Sequence, residues 1–396
     1  MNPEKNAGPQ AVPPIIERNG ITRLSWGVSL AILALAVGLL LPPVRMTWQA
    51  RGGRWAYILA VSGLISFGLT PFVIRLARFF QIFDLPASRK VHATPTPLLG
   101  GLAIYAAFTI SILANSILDE QVVTILLGGT LLVIAGIVDD FRGAPAGIKL
   151  VIQLLACTVV IQSGVVLTLF PRTLLGSGAN AALTAFWLLG ITNAMNFFDG
   201  MDGLATGLSI ITAGFLGFFA AMTFQPFLGW LAAAIVGACL GFLPFNFRLR
   251  WPAAIFLGDA GSTFLGFVLA ALAVKGEWAE NNFIDVGAPV LIFWVFIFDM
   301  VHISVTRIAT GKVRTFREWI AYVGRDHLHH RFEALLHSKR KSVLLIFLLS
   351  ICMGLGAIAL VNAHTREAVV LILQAIVIVS VVTVLERGGN HADRRQ

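Results

Sequence analysis

The chain has 396 residues, 57% of them hydrophobic and only 12% charged, with a mean hydropathy of +0.84 and a formal net charge of +9. So little charge cannot cover a soluble fold of this size, which excludes a soluble enzyme, a disordered chain and a secreted disulfide scaffold. The apolar residues come in runs of roughly 17–22, enough to cross a bilayer core as helices, and lack the alternation of a membrane β-barrel.

Residues 1–24 contain Pro3, Pro9, Pro13, Pro14 and several charges and read as a flexible tail. Twelve apolar runs follow, at roughly 25–42, 55–75, 98–118, 121–138, 148–169, 181–195, 204–223, 227–245, 261–275, 286–306, 341–361 and 368–386. They predict an all-α polytopic membrane protein of about 11–12 transmembrane helices. The first run has no small-residue cleavage site and is expected to stay as a span. Residues 25–54 then form an extra N-terminal helix and loop, 55–340 a core, and 341–396 two C-terminal spans with a short basic tail.

An even number of spans puts both termini on one side. With the N-terminus inside, 23 of the 29 Lys and Arg residues fall in inner segments. The six outside are Arg45, Arg51, Arg54, Arg172, Lys275 and Arg366. That asymmetry is the positive-inside signature, and it explains the basic balance without a nucleic-acid partner. The first outer loop, with three Arg, is the exception.

Carboxylates are scarce, so their placement is informative. Asp139 and Asp140 end the fourth run, Asp199 and Asp202 follow the sixth, and Asp259 precedes the ninth. All five fall on the inner side, in short Gly-rich segments without Glu: GIVDDFRG, NAMNFFDGMDGLA and FLGDAGS. A solvated loop would mix Lys with Glu. Hard oxygen ligands beside glycine turns suit Mg²⁺, which takes few carboxylates and leaves positions for phosphate and water. Adjacent Asp139 and Asp140 cannot both be buried and ionised cheaply without a cation or a proton.

A basic set shares this face. Arg89, Lys90 and His92 lie in DLPASRKVHATPTPLLGG, Lys149 opens the fifth run, and His327, His329 and His330 lie in GRDHLHHRF. Imidazole and guanidinium donors recognise phosphate oxygens. A metal site in the histidines is the alternative, less suited because no Cys is near. Between 312 and 323, apolar and basic residues alternate as in a helix lying in the interface, or in a plain amphipathic connector. Asp299 and His302, three apart inside a span, suggest a pair on one helix face.

In this order and on one face, RKVHATPTPLLGG, the VDD pair, NAMNFFDGMDGLA, GDAGS and HLHH resemble the polyprenyl-phosphate N-acetylhexosamine-1-phosphate transferases over roughly residues 55–340. Branches of that family begin O-antigen, enterobacterial common antigen, teichoic acid and peptidoglycan synthesis. The HxHH form is similar to the branch using UDP-N-acetylglucosamine or a related UDP-HexNAc, rather than the muramoyl-pentapeptide donor. Many members have an Asp three residues before the first His, where this chain has Gly324; Asp326 is the candidate substitute.

The resemblance implies a reaction of a UDP-sugar with undecaprenyl phosphate, releasing UMP, at the cytoplasmic face of a bacterial inner membrane. It implies Mg²⁺, or Mn²⁺, held by Asp259, Asp139 as the base for the lipid phosphate, and Asp140 beside it in the catalytic pair, supporting the metal or positioning the acceptor. It also implies Phe256 stacking on uracil, with Asn193, Asn196, Asp199 and Asp202 holding the nucleotide and its loops. Asp199 and Asp202 would share a face if their loop begins a helix. Arg89, Lys90, His92, Lys149, His327, His329 and His330 would contact phosphates. One-step and covalent two-step transfer both stay open, and a homodimer is compatible with the chain. The competing class is a transporter of an anionic solute, which would place its charges near the midplane of two repeated halves. A non-catalytic scaffold would not need the aspartates.

Overall fold

A computed structural model describes residues 26–84, 95–248, 250–278, 282–315, 318, 319, 322, 324, 326–361 and 365–393. The tail at 1–24, and the loop holding Arg89, Lys90 and His92, lie outside them. The described chain is helical: α1 Trp26–Leu40, α2 Pro42–Ala50, α3 Arg54–Phe79, α4 Gly100–Ala114, α5 Glu120–Arg142, α6 Ala146–Gln162, α7 Leu174–Phe198, α8 Leu204–Met222, α9 Pro226–Asn246, α10 Gly258–Lys275, α11 Asn282–Ile292, α12 Trp294–Ala309, α13 Leu328–Leu336, α14 Lys339–Val361 and α15 Thr365–Asp393. Seven are long and apolar enough to cross a membrane alone, two bent pairs pass together, and three shorter apolar helices account for the remaining runs.

Several expected bounds change. The first run is a bent pair, α1 and α2, turning by 64° where Pro42 and Pro43 follow Leu41. The run at 286–306 likewise breaks between α11 and α12, by 78°. The run at 98–118 ends early, where Asn115 follows Ala114. The short run at 181–195 extends to Leu174 and Phe198, because Gly and Asn residues that dilute its hydropathy still fit a helix. Residues 312–315 are not helical; the rest of the proposed interfacial helix is only partly within the described residues.

The core is organised around α10. Gly258 and every residue from Ala260 to Ala273 are buried. Small residues let neighbouring backbones close on its first turn. A Cβ on Gly101 would lie 2.1 Å from Gly261 Cα, and one on Gly136 would lie 2.3 Å from Ala260 Cα. These contacts draw α4 and the end of α5 onto the start of α10. A two-residue antiparallel ribbon, β1 Phe83–Asp84 with β2 Thr96–Pro97, brackets the loop between them. Leu99 has a left-handed φ of 79°, and just beyond it Gly100 and Gly101 donate to the carbonyls of Phe256 and Leu257. Phe256 N–H in turn donates to Pro97 O. The roots of the RKVH loop are thereby fixed beside Asp259.

The connections sort into two faces. Lys275 meets Asp119, Gln225 meets Glu277, and Arg54 meets Asn115 and Trp230 on one. Asp139, Asp140, Asp199 and Asp259 meet on the other. This is the partition that the span count requires.

Candidate active site

The first turn of α10 has unpaired backbone N–H groups, like any helix start. Here they are capped from other helices. Asp140, near the end of α5, accepts from Asp259 N–H at 3.0 Å and Ala260 N–H at 3.4 Å. Asp199, just after α7, accepts from Gly258 N–H at 3.1 Å. Carboxylates are favoured at a helix N-terminus by its dipole. Gly258 has a φ of +75°, and a Cβ there would lie 2.6 Å from Asp140 Oδ2, so only glycine fits.

This capping presents the Asp259 side chain. Its Oδ2 accepts from Lys149 Nζ at 2.8 Å, and its Oδ1 accepts from Asn196 Nδ2 at 3.0 Å. Asn196 Nδ2 also donates to Ser262 Oγ at 2.9 Å. Lys149, on α6, pairs with Asp139 as well, so its ammonium bridges two carboxylates from different helices. The other Asp139 oxygen accepts from Ala144 N–H at 2.5 Å. Two carboxylates therefore share one ammonium, and two more cap the helix start beside them. Burial, then the charges of Asp259 and Asp140, push the Asp199 carboxyl well above the usual carboxylate range.

Other expected residues stand further out. Asn193 forms a reciprocal amide pair with Gln153, at 2.8 and 3.3 Å, which ties α6 to α7. Asp199 and Asp202 do not share a helix face, because α8 begins only after Gly203, whose φ is +74°. Asp202 instead accepts from Ala253 N–H at 3.0 Å. Phe256 is half-buried, its backbone pinned as described above.

The histidines pack on the turn that carries Asp199. His327 lies 4.7 Å from the Phe197 ring, and His329 lies 5.6 Å from Phe198. A Cβ on Gly200 would come within 3.0 Å of His329 Nε2. His329 is 1% exposed and neither ring nitrogen has a partner among the described residues. Burial, then the charges of His330, His327 and Arg331, hold its pKa well below the usual histidine value. His329, expected to contact phosphate, is a buried ring packed on the Asp199 turn. His330 Nδ1 lies 3.7 Å from Glu333.

Asp299 was not among the expected site residues. It is fully buried on α12, and its Oδ2 lies 2.7 Å from His327 Nδ1. Its Oδ1 accepts from Leu328 N–H at 2.7 Å and from Arg331 Nη2 at 3.3 Å. Its only signal in the sequence was a carboxylate inside an apolar run. His302, three residues further along α12, has its ring 5.5 Å from that of Phe298. Asp326 makes a two-pronged pair with Arg307, at 2.8 and 2.7 Å. Burial opposes ionisation of Asp326, but those bonds and the Arg307 charge win and hold its carboxyl below the usual range. Asp326 therefore clamps the histidine loop to α12.

A cavity of ≈ 1440 Å³ runs along α7, α10, α11 and α12. Phe186, Trp187, Pro289, Met300 and Val305 are among its apolar walls, with Arg314 and Trp319 among its lining residues on the inner side.

Together these features define a multi-pass helical membrane protein with a carboxylate–lysine site at one face. Residues 122–277 match glycosyl transferase family 4. The chain is 32% identical over 320 residues to a probable undecaprenyl-phosphate N-acetylglucosaminyl 1-phosphate transferase of Bacillus subtilis, covering 79% of this chain and 87% of that protein. It is 31% identical over 368 residues to the decaprenyl-phosphate N-acetylglucosaminephosphotransferase of Mycobacterium leprae, covering 83% and 90%. A phospho-N-acetylmuramoyl-pentapeptide-transferase of Staphylococcus saprophyticus is 29% identical over 334 residues, covering 76% and 97%. The chain belongs to this family, the polyprenyl-phosphate N-acetylhexosamine-1-phosphate transferases.

Proposed function

We propose that the chain transfers GlcNAc-1-phosphate from UDP-GlcNAc to undecaprenyl phosphate, releasing UMP, as the first membrane step of a cell-envelope polysaccharide. The observation that carries this reading is the Lys149 bridge between Asp139 and Asp259 at the capped start of α10. The Lys and Arg asymmetry supports a cytoplasmic active site in the inner membrane.

The donor set fits a divalent cation. Asp139 and Asp259 share one ammonium with Asp140 and Asp199 close by, which leaves surplus negative charge; burial, then the charges of Asp259 and Asp140, raise the Asp199 pKa. Among the described residues no three carboxylate, thiol or imidazole groups form a metal cage. Mg²⁺ does not need one, since it binds through one or two carboxylates with phosphate oxygens and water. Asp259 would hold it, with Asp140 fixing Asp259 through the backbone. When bound, Mg²⁺ would neutralise the diphosphate and stabilise the leaving phosphate.

The residues supply the rest. Both substrates are anionic, so alignment and charge neutralisation dominate. Asp139 takes the proton from the lipid phosphate, whose oxygen then attacks the β-phosphorus of the nucleotide sugar. The bond to the α-phosphate breaks, and UMP carries away the electron pair. Lys149 is placed to follow the phosphates from one carboxylate to the next. The apolar cavity beside α7 suits the polyprenyl tail.

The test is UMP release by purified protein with Mg²⁺ and undecaprenyl phosphate, comparing UDP-GlcNAc, UDP-GalNAc and UDP-MurNAc-pentapeptide. Release with UDP-GlcNAc is expected. Release with the muramoyl donor alone would reassign the donor, and silence with every donor would overturn the reaction.

A further inference from the structure

The three arginines of the first outer loop run against the charge rule that the other loops follow. The structure brings two of them together. Arg45 Nη1 donates to Ala114 O, and Arg54 Nη2 donates to Asn115 O at 2.8 Å, so both guanidiniums meet the C-terminal end of α4. The Arg54 guanidinium also lies 3.5 Å from the centroid of Trp230, near the start of α9. These helix ends form the face opposite the aspartates.

The charges there do not balance. A helix C-terminus offers about half a negative charge, against two full positive ones. Among the described residues no carboxylate pairs with either arginine. Arg45 Nε, Arg54 Nε and Asn115 Oδ1 are buried without hydrogen-bond partners. The remaining Nη groups have no protein partner among the described residues and are not enclosed. The setting is a membrane surface: α2 turns 64° away from α1, and Leu41, Met46 and Trp48 are exposed around the pair. Tryptophan is favoured at the headgroup level.

We propose that Arg45 and Arg54 bind the phosphodiester of an anionic phospholipid headgroup on the face opposite the active site. Two guanidiniums side by side match the two non-bridging oxygens of a phosphodiester. Leu41, Met46 and Trp48 would meet the upper acyl chain. The bent α1–α2 pair, outside the matched family segment of 122–277, is then held to α4 and to the lipid through Arg45, with Arg54 at the start of α3 reaching α9 beside it.

The test is lipid retention by the full chain in detergent, read by native mass spectrometry with equal phosphatidylglycerol and phosphatidylcholine. Phosphatidylglycerol is expected to be retained preferentially. The R45Q/R54Q double variant should lose that preference by roughly 30-fold, as for two basic residues near an anionic surface, while R45K/R54K keeps most of it. UMP release should not change, because neither arginine touches the aspartate site. Equal retention of both lipids, or undiminished preference in R45Q/R54Q, would overturn the proposal. So would displacement of the lipid by equimolar glycerol 3-phosphate, which would mark an anion site without lipid selectivity. Should R45Q/R54Q fail to fold, the wild-type preference must itself weaken between about 0.05 and 0.5 M salt; a salt-independent preference overturns it equally.

Discussion

Asp140 Oδ1 accepts the backbone N–H of Asp259 at 3.0 Å, so one aspartate of the site sets the position of another. The two residues should therefore fail differently. Asp140→Asn keeps one acceptor oxygen but loses the charge and one cap bond, and should cost about 1–2 kcal/mol of stability. Asp259→Asn leaves the cap intact and should cut turnover by about 100-fold or more with a smaller loss of stability. Thermal unfolding in detergent beside UMP release reads both. An Asp140→Asn protein as stable as wild type would refute the capping role.

Lys149 is the one ammonium bridging Asp139 and Asp259 among the described residues. Lys149→Met leaves two facing carboxylates without it. In EDTA the variant should lose roughly 1–3 kcal/mol, less than a deeply buried pair would because the lysine is partly exposed. Millimolar Mg²⁺ should then raise its melting temperature, since a ligand of the native state alone stabilises it. Identical melting of variant and wild type in EDTA, with no response to Mg²⁺, would show that Lys149 does not balance this pair.

The membrane class and the helical runs were legible because lipid imposes them: a span must be long, apolar and internally hydrogen-bonded. The gathering of Asp139, Asp140, Asp199 and Asp259 on one face was legible for the same reason, as span ends alternate between sides. What could not be read was which oxygen meets which amide. Asp140 and Asp199 look like ligands in sequence, and nothing there shows that they also cap the start of α10. Hydropathy does not record the bends at Leu41, where Pro42 and Pro43 follow, and at Phe293. Asp299 was read with His302 because local spacing was available, whereas its partner His327 comes from another segment.

Gly136 tests the packing that builds the site. A Cβ there would lie 2.3 Å from Ala260 Cα and 2.7 Å from Asp259 C, both backbone atoms. Gly136→Ala must push α10 away from α5, at a cost of about 1–3 kcal/mol. It should also reduce turnover without altering any polar group. Gly147, with nothing within 4 Å of its Cβ position, is the control. Equal activity of the two alanine variants would show that close approach of α5 is not needed.

Asp299 holds His327 and Leu328 from inside α12. Asp299→Asn retains the shape but weakens the orientation of the ring. Loss of a carboxylate that orients a histidine typically costs about 10–100-fold in activity. Since His327 packs on Phe197, beside the Asp199 turn, the loss should appear mainly as a raised KM for the nucleotide sugar. A pure fall in kcat with unchanged KM would place Asp299 outside donor binding.

Two buried groups give opposite pH dependences, measurable without added divalent cation. Folding raises the Asp199 pKa, so the native state keeps a proton that the unfolded chain releases; its contribution to stability falls as pH rises above the unfolded value of about 4. Folding lowers the His329 pKa, so the native state refuses a proton that the unfolded chain takes up; its contribution falls as pH drops below about 6.5. Asp199→Asn should therefore gain on wild type as pH rises from about 5 to 8, and His329→Leu should gain as pH falls from about 7.5 to 5.5. Each slope is at most about 1.4 kcal/mol per pH unit. Melting curves of the three proteins across that range provide the check. A flat difference for either variant would show that the group carries the same protonation in the native and unfolded chains.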